Sequence, residues 1–302
     1  MTTTNTLHVG HGMHEGALSL FPVWIDGPAV AGVSWNAGRL QVDEQENGPS
    51  VGHLTVSNSA PRPVVVLEGD LLEGGWQNRM LAQSAVIAGG ERRRVDVVCV
   101  EKGRWGGDSG HSARGRKAAL RVRHGSVSRR SDDRQGEVWR RVGRYERELG
   151  STRTSSMVEH LDRAQGSALR LIEGQRGVVI GIGGAIVGAE LFGSSKALAS
   201  RWQGVVDAAR LDARLASATR TTSADARRFI RKLGALPLER GDADGAAQRL
   251  ASRHEQLTLS GLALASPEQS SFEDAVGRMF AEVDAVLHLA VFNEAHPLLA
   301  QD

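Results

Sequence analysis

Residues 64–105 decide the fold, and they read VVVLEGDLLEGGWQNRMLAQSAVIAGGERRRVDVVCVEKGRW. Short runs of valine, leucine and isoleucine alternate here with glycine-rich turns, a pattern typical of antiparallel strands. Two polar clusters, residues 77–79 and residues 101–105, each stand at the end of such a run. Because ligands are commonly bound by side chains at the ends of rigid strands, the two clusters indicate a pocket.

Short strands of the same kind are predicted throughout the first third of the chain. Turn signals such as NAG at residues 36–38 and NGP at residues 47–49 separate them, and no helical period interrupts them. The predicted strands cover residues 30–35, 39–43, 51–57, 64–67, 81–87 and 94–100. Many short strands at this spacing favour an antiparallel β-sandwich or jelly-roll-like module.

The remainder of the chain mixes helical and strand patterns. Apolar residues recur every three or four positions over residues 134–149, which predicts a helix, and Ser223 is a candidate cap for another. Gly183 and Gly184 predict the turn of a β-hairpin. The other predicted elements are helices over residues 157–171, 195–218 and 223–233, hairpin strands over 177–182 and 185–192, and closing strands over 257–264, 275–282 and 285–292. This order of elements predicts an α+β protein.

We expect three parts along the chain, whose 302 residues are enough for one large domain or two smaller ones. Residues 1–16 lack apolar periodicity and are predicted to form a flexible tail. Residues 17–125 form the predicted β-rich module, and residues 126–302 form an α+β part that packs against the module as one unit.

The composition is that of an ordinary globular protein without a strong charge bias. Hydrophobic residues make up 40%, charged residues 24%, and the net charge is +2, so partners must be inferred from local clusters. Cys99 is the only cysteine, which excludes an intrachain disulfide. Its valine-rich surroundings favour a small buried hydrophobe over a reactive thiol.

The sequence has no feature that predicts a membrane partner. The first 20 residues lack the basic and apolar regions of a signal peptide. The longest apolar run, residues 177–192, is too short and too glycine-rich to span a bilayer. We therefore expect a cytoplasmic protein.

The opening stretch also resembles a known family. Residues 67–74, 77–79, 99–101 and 103–105 are similar to the signature of the ARG and Rhodanese-Phosphatase-superfamily-associated protein domain, a bacterial family of poorly defined function. Weaker matches follow at residues 134–135, 138–139, 190–192, 202 and 287–292. The family's name records an association with ADP-ribosylglycohydrolases, so the resemblance implies a link to ADP-ribose or a related nucleotide. It supplies no established catalytic residues.

The first polar cluster offers groups that suit an anionic ligand. Arg79 carries a rigid five-donor fork that matches phosphate or carboxylate, while Gln77 and Asn78 each offer donors and acceptors. The alternative is a turn in which Asn78 satisfies backbone groups and Arg79 is solvated. The family resemblance favours a ligand-binding role for all three residues.

The second cluster combines three groups within five residues. Glu101 can accept hydrogen bonds from a ribose diol, Arg104 can bind a phosphate, and Trp105 can stack on a ring. The alternative is an ion pair between Arg104 and Glu101 beside a partly buried indole. We assign Arg104 and Trp105 to the expected ligand-binding set, and add Gln135 from a later block of the resemblance.

Acid/base chemistry by carboxylates is the catalytic mechanism that the sequence leaves open, because the motifs of other mechanisms are missing. The sequence contains no nucleophile elbow, no cysteine–histidine pair, no metal constellation and no phosphate-binding loop, so we expect no metal and no cofactor. Glu101 and Glu190 could form an acid/base pair for a glycosidic bond if the fold brings them within roughly 5 to 10 Å. His288 interrupts an apolar run and could be either a core-edge histidine or a proton carrier.

The family resemblance, together with these residues, implies a protein that binds, and in a stronger form of the hypothesis processes, a nucleotide-derived anion of the ADP-ribose or NAD-derived type. The first rival is a non-catalytic interaction or sensor domain with the same pocket. The arginine-rich residues 102–147 allow a third interpretation, association with nucleic acid. Aromatic residues do not interleave with these arginines, so a solvated basic face is favoured and a nucleic-acid partner is not expected.

Overall fold

The computed structural model describes residues 7–46, 48–127, 131–265, 274–275 and 286–300. In chain order its strands are β1 (Leu7–Val9), β2 (Met13–Glu15), β3 (Leu18–Ile25), β4 (Gln41–Asp43), β5 (His53–Ser57), β6 (Val64–Val66), β7 (Leu71–Gly74), β8 (Arg79–Leu81), β9 (Ala85–Ile87), β10 (Arg92–Cys99), β11 (Gly110–Ser112), β12 (Gly177–Ile182), β13 (Ala185–Phe192), β14 (Pro237–Asp244), β15 (Ala247–His254), β16 (Leu257–Leu264), β17 (Asp274–Ala275) and β18 (Val286–Asn293). The helices are α1 (Leu120–Val127), α2 (Ser131–Leu149), α3 (Met157–Arg163), α4 (Ser195–Ala213) and α5 (Ser223–Gly234), and a short 3-10 turn covers Ala37–Arg39.

The chain divides into two compact units that differ from the predicted parts. The first unit comprises residues 1–31, 168–199 and 216–301, and the second comprises residues 32–167 and 200–215. The predicted boundary near residue 125 is not seen in this division. The reason is packing, because α2 and α3 share an apolar cluster with the barrel strands of the second unit.

A large antiparallel sheet forms the centre of the first unit. Its strand order is β1-β3-β12-β13-β18-β16-β15-β14-β17, with β2 paired to β3. Helix α5 covers one face, and its apolar side chains form a common core with alternate residues of the strands. The Thr222 hydroxyl accepts the Asp225 N–H at 3.1 Å and so caps the start of α5.

The predicted glycine turn is confirmed in this sheet. Strands β12 and β13 form an antiparallel hairpin, and Gly183 and Gly184 both have positive φ, at 62° and 94°. Only glycine adopts such values without strain, so these two residues fix the turn. The predicted strand over residues 257–264 is also confirmed as β16, whereas most of the predicted strand over 275–282 lies outside the described residues.

The flexible tail predicted for residues 1–16 is wrong for residues 7–16. This segment contains β1 and β2, both of which pair with β3, and the Leu7 side chain is only 1% exposed. Strands of three residues are too short to show a period in the sequence, so their pairing with β3 could not be inferred. Residues 1–6 lie outside the described residues.

The second unit is built around a small closed barrel. Its strand order is β10-β5-β4-β11-β7-β8, and β6 and β9 form a separate pair. The barrel closes because β10 pairs with β5 through residues 92–96 and with β8 through residues 97–99. The predicted α+β class is confirmed, and the β-rich module predicted as a sandwich or jelly roll takes this closed form.

Strand alternation divides the barrel residues between two cores. Val42, Leu54, Leu72, Leu81 and Val97 belong to one apolar cluster, which fills the barrel. Their neighbours along the strands, such as residues 71, 80 and 98, belong to a second cluster with α1, α2 and α3 on the outside.

The strand register also defines two ends of the barrel. At the tryptophan end, named for Trp76 and Trp105, strands β4, β7 and β10 finish and strands β5, β8 and β11 begin. At the opposite end, β4 and β10 begin beside the finish of β5, because Gln41 and Arg92 both pair with Ser57. None of the helices in the described ranges is long and apolar enough to cross a bilayer.

The N-terminal strand should contribute measurably to stability. We expect Leu7→Ala to lower the free energy of unfolding by about 2 to 4 kcal/mol, because Leu7 is buried in the core beneath α5. Urea denaturation followed by circular dichroism measures the change. His8→Ala is the matched control, since the neighbouring His8 is exposed and its side chain pairs with the exposed Asp26; its effect should stay below about 1 kcal/mol. Equal effects of the two substitutions would mean that β1 does not dock on the sheet.

Candidate functional site

A buried polar cluster closes the barrel at the tryptophan end. Arg79 begins β8 on the same side of the strand as Leu81, and its side chain is 0% exposed. Its guanidinium donates to Gln77 Oε1 at 2.9 Å and lies 3.8 Å from Glu44 Oε1. A buried arginine costs less when its donors are engaged, so Gln77 and Glu44 compensate part of the desolvation of Arg79.

His111 is the fourth member of this cluster. Its Nε2 lies 3.1 Å from Glu44 Oε1, and both side chains are buried. Burial lowers the pKa of His111, and the carboxylate of Glu44 offsets only part of that effect. Gly75 makes room for the imidazole: a Cβ at that position would stand 2.0 Å from His111 Nε2. The ring is therefore neutral at neutral pH and has a fixed position.

Glu101 organises the loops above this cluster. Its carboxylate accepts hydrogen bonds from the Asn78 backbone at 2.9 Å, from Thr154 Oγ1 at 2.5 Å and from Arg104 at 2.7 Å. Its backbone carbonyl accepts from Gln77 Nε2 at 2.9 Å. Both predicted polar clusters are thus brought together around one carboxylate.

The same bonds fix the charge of Glu101. Burial alone would raise the pKa of this carboxyl, but hydrogen bonds from Arg104, Thr154 and Asn78, together with the charge of Arg104, lower it below its usual 4.5. A carboxylate held ionised by three partners is a poor proton donor at neutral pH. The contacts of Glu101 are those of a residue that positions other groups.

Arg104 uses its remaining donors on the surrounding backbone. Its Nη1 donates to the carbonyl of Gly75 at 2.6 Å and its Nη2 to that of Gly74 at 3.2 Å. The guanidinium therefore ties the loop after β7 to the loop after β10. It is about one quarter exposed, so it presents positive charge to solvent without a free bidentate edge.

Two tryptophans form the outer surface of this end. Trp105 is 50% exposed, and its ring lies 5.7 Å from the buried Arg79 Cζ. Trp76 packs edge-to-face against it, with ring centroids 5.5 Å apart and planes at 74°. The cation–π contact and the aromatic contact hold an exposed indole in a fixed orientation.

Gln135 lies near the cluster but acts on backbone. Its side-chain amide accepts from the Cys99 N–H and donates to the Cys99 carbonyl, both at 2.9 Å, and so joins α2 to β10. Burial raises the pKa of the Cys99 thiol to about 11; the charge of Arg79 lowers it, and those of Glu44 and Glu101 raise it further. Cys99 is therefore a buried thiol that stays protonated at neutral pH.

Two acidic residues within residues 64–105 form ion pairs with arginines of the second unit. Glu68 forms a two-pronged ion pair with Arg123, with distances of 3.2 and 3.1 Å, and Asp70 pairs with Arg201 at 3.2 Å. All four side chains are buried. Removing one partner of a buried pair is costly, so Glu68 holds residues 68–70 to α1 and Asp70 holds them to α4.

The predicted catalytic residues Glu190 and His288 lie in the first unit. Glu190 is on β13 and His288 on the neighbouring β18, with Oε2 and Nε2 2.5 Å apart and both side chains buried. The His288 ring also packs 4.7 Å from the ring of Phe192. Glu101 belongs to the second unit, so its pairing with Glu190 stays a prediction.

Sequence reasoning missed four residues at the tryptophan end: Glu44, Trp76, His111 and Thr154. Trp76 stands beside Gln77 and could have been added from its position. The other three are brought in by β4, β11 and the loop before α3, so only barrel closure places them. Among the described residues, no group of three or more histidine, cysteine, aspartate or glutamate side chains is placed to hold a metal ion.

The fold and this site define an α+β protein whose second unit is a small β-barrel sealed at one end by a polar cluster under two tryptophans. A family model, the ARG and Rhodanese-Phosphatase-superfamily-associated Protein domain, matches residues 6–291, and the chain belongs to this family. The resemblance seen in residues 67–105 is thereby confirmed. Searches of curated proteins and of solved structures gave no match.

Loss of the Glu101 carboxylate should weaken the second unit. We expect Glu101→Gln to lower the free energy of unfolding by about 2 to 3 kcal/mol at pH 7, because Arg104 loses its charged partner in a mostly buried site. Chemical denaturation measures the change. Glu46→Gln is the control, since Glu46 pairs with Arg92 at an exposed position and should contribute under about 1 kcal/mol.

The difference should also depend on pH with a defined sign. Because the pKa of Glu101 is lower in the folded state than the usual 4.5, its contribution to stability is present above that value. It is lost as the pH falls through the folded pKa. The gap between wild type and Glu101→Gln should therefore be constant above about pH 6 and shrink toward pH 3. A gap that widens in acid would contradict the assignment.

Cys99 should resist modification in the folded protein. We expect a thiol reagent at pH 8 to label it slowly in buffer and rapidly in denaturant, because the thiol is buried and protonated. Absorbance of the released chromophore follows the reaction. Complete labelling within the mixing time in native buffer would show that the strand opens around Cys99.

Proposed function

We propose that the second unit binds a small nucleotide-derived anion of the ADP-ribose type at the tryptophan end of the barrel. One observation carries the proposal: Trp105 is half exposed, yet it is held in place by Arg79 and Trp76. The family's name supplies the nucleotide class, through its association with ADP-ribosylglycohydrolases. A cytoplasmic location remains part of the same proposal.

An exposed indole of this kind suits a planar ring. Leaving a large aromatic surface in water costs hydrophobic free energy, which a stacked base would recover. Stacking of a base on an aromatic side chain contributes about 1 to 3 kcal/mol. Because Trp105 is already oriented by its contacts, little side-chain entropy is lost when a ring binds.

The charge around Trp105 favours an anion. Arg104 is partly exposed within the same loop, and Lys102 is exposed beside it, with its ammonium 5.6 Å from the Trp139 ring centroid. Arg79 is fully buried and donates to Gln77, and Arg104 donates to Glu101 and to backbone carbonyls, so both attract an anion through their charge and not through an exposed free fork. Recognition would rest mainly on the aromatic surface.

Binding without turnover is the form of the proposal that the geometry supports best. Glu101 would have to release Thr154, Asn78 or Arg104 before it could transfer a proton. This favours the sensor or interaction domain over a glycosidase. The second candidate function is enzymatic processing of the ligand by Glu101, Glu190 or His288. A turnover assay distinguishes this function from binding alone.

Calorimetric titration with ADP-ribose, NAD and AMP tests the site. We expect binding by the wild-type protein and a loss of about tenfold or more in affinity for Trp105→Ala, the effect of removing a stacking surface. The melting temperature should change little, because the indole is exposed. Trp24→Phe is the control, since it alters a partly buried indole of the first unit. Equal affinities for all three proteins would exclude Trp105 from the site.

The same ligands distinguish binding from processing. Products of ADP-ribose and NAD are separated by chromatography after overnight incubation with wild type and Glu101→Gln. Binding without product supports the binding module. Product formation by wild type that is lost in Glu101→Gln would establish the enzyme and overturn the non-catalytic form.

A further inference from the structure

We propose that the opposite end of the barrel carries a second site, a cationic cleft for a small molecule that bears phosphate groups. Two cavities of about 360 and 530 Å³ lie at this end and share Asn36 in their walls. Arg39 and Arg62 line the first cavity, and Arg114 and Trp35 line the second. Cavities of a few hundred Å³ are the size that holds a small organic ligand.

The position of the cleft follows from the strand register. Arg39 stands two residues before β4, and Arg114 follows two residues after β11, the antiparallel neighbour of β4. Arg62 lies in the loop that follows β5. These three arginines lie at the end of the barrel where β4 begins, whereas Trp105 follows the C-terminal end of β10. The cleft is therefore separate from the site proposed around Trp105.

Unpartnered positive charge is the main feature of the cleft. Arg39, Arg62 and Arg114 are exposed, and within the described ranges their side chains make no hydrogen bond or ion pair. Among the described residues, no aspartate or glutamate lines either cavity. At the tryptophan end, by contrast, Arg79 is fully buried, and Arg104 donates to Glu101 and to backbone carbonyls. The free guanidinium forks of the cleft match the geometry of phosphate oxygens.

The walls of the cleft are held by internal hydrogen bonds. Asn36 Oδ1 accepts the Gly38 N–H at 3.2 Å and fixes the turn that carries Arg39. Asn58, only 1% exposed, donates to the Arg62 carbonyl at 3.1 Å and also to the carbonyls of Ile87, the last residue of β9, and of Ala88. The backbone that presents Arg39 and Arg62 is thus organised before a ligand arrives, which lowers the entropy cost of binding.

The shape of the cleft favours a compact ligand with more than one phosphate. Arg39 and Arg62 in one cavity can hold one phosphate group, and Arg114 in the other can hold a second beside the partly buried Trp35. A nucleoside diphosphate or an inorganic pyrophosphate has this chemistry. A nucleic-acid backbone presents the same phosphate oxygens, so the experiment must separate the two sources.

Calorimetry with inorganic pyrophosphate and with ADP tests the cleft at 150 mM salt. We expect wild type to bind both, and Arg39→Gln/Arg62→Gln to lose about tenfold or more in affinity, because charge-assisted hydrogen bonds to phosphate are removed. Arg114→Gln should show a smaller loss. Arg227→Gln is the charge-matched control: Arg227 is exposed on α5 of the first unit, and its removal should change affinity less than twofold.

Four outcomes would overturn the inference. The first is no binding of either probe at millimolar concentration, and the second is equal affinity for wild type and the double variant. The third is a single-stranded decanucleotide that binds with steep salt dependence while pyrophosphate does not. The fourth concerns Trp105→Ala, included as a fifth protein: loss of pyrophosphate binding in this variant would place the phosphate at the tryptophan end, whereas retention supports a separate site.

Discussion

Closure of the barrel by β10 is the constraint on which both ends of the second unit depend. The strand pairs with β5 through its first five residues and with β8 through its last three, so no edge is left open between them. The last residue of β10 pairs with Arg79, and this pairing places residues 101–105 next to Arg79 and its neighbours. Its first residue shares Ser57 as a partner with β4, which aligns the opposite end. A single strand thus sets the positions of two groups of polar residues that are far apart in the sequence.

Within the described part of the chain, Glu101 and Arg104 are paired at the tryptophan end of the barrel, whereas the arginines of the cleft at the opposite end are unpaired, and burial explains the difference. At the tryptophan end Glu101 and Arg104 are packed among backbone groups, where an unpaired charge would cost several kcal/mol, so each has partners within hydrogen-bonding distance. At the opposite end Arg39 and Arg62 are in contact with water and need no partner to be stable. Buried pairs therefore position the protein's own loops, and exposed arginines are available to a ligand.

The sequence predicted features that depend on local chemistry and missed those that depend on closure. Gly183 and Gly184 fixed one hairpin because their conformations are local, and the α+β class followed from the order of patterns. Convergence of residues 77–79 with residues 101–105 followed from their places at strand ends. Glu44 and His111 could not be found in this way, since they reach Arg79 only through β4 and β11. Strands as short as β1 and the charged strand β14 have no apolar period and were missed for that reason.

Packing inside the barrel bears on how its two ends can act together. Leu54, Leu81 and Val97 belong to the apolar cluster that fills the space between them. Such a core is close-packed and resists small displacements, so an event at one end reaches the other only if a strand shifts its register. A one-residue shift would turn every interior side chain of that strand outward, at a cost far above the free energy that a weakly bound ligand supplies. The barrel is thus a rigid support on which the two proposed sites would act separately, each with its own chemistry.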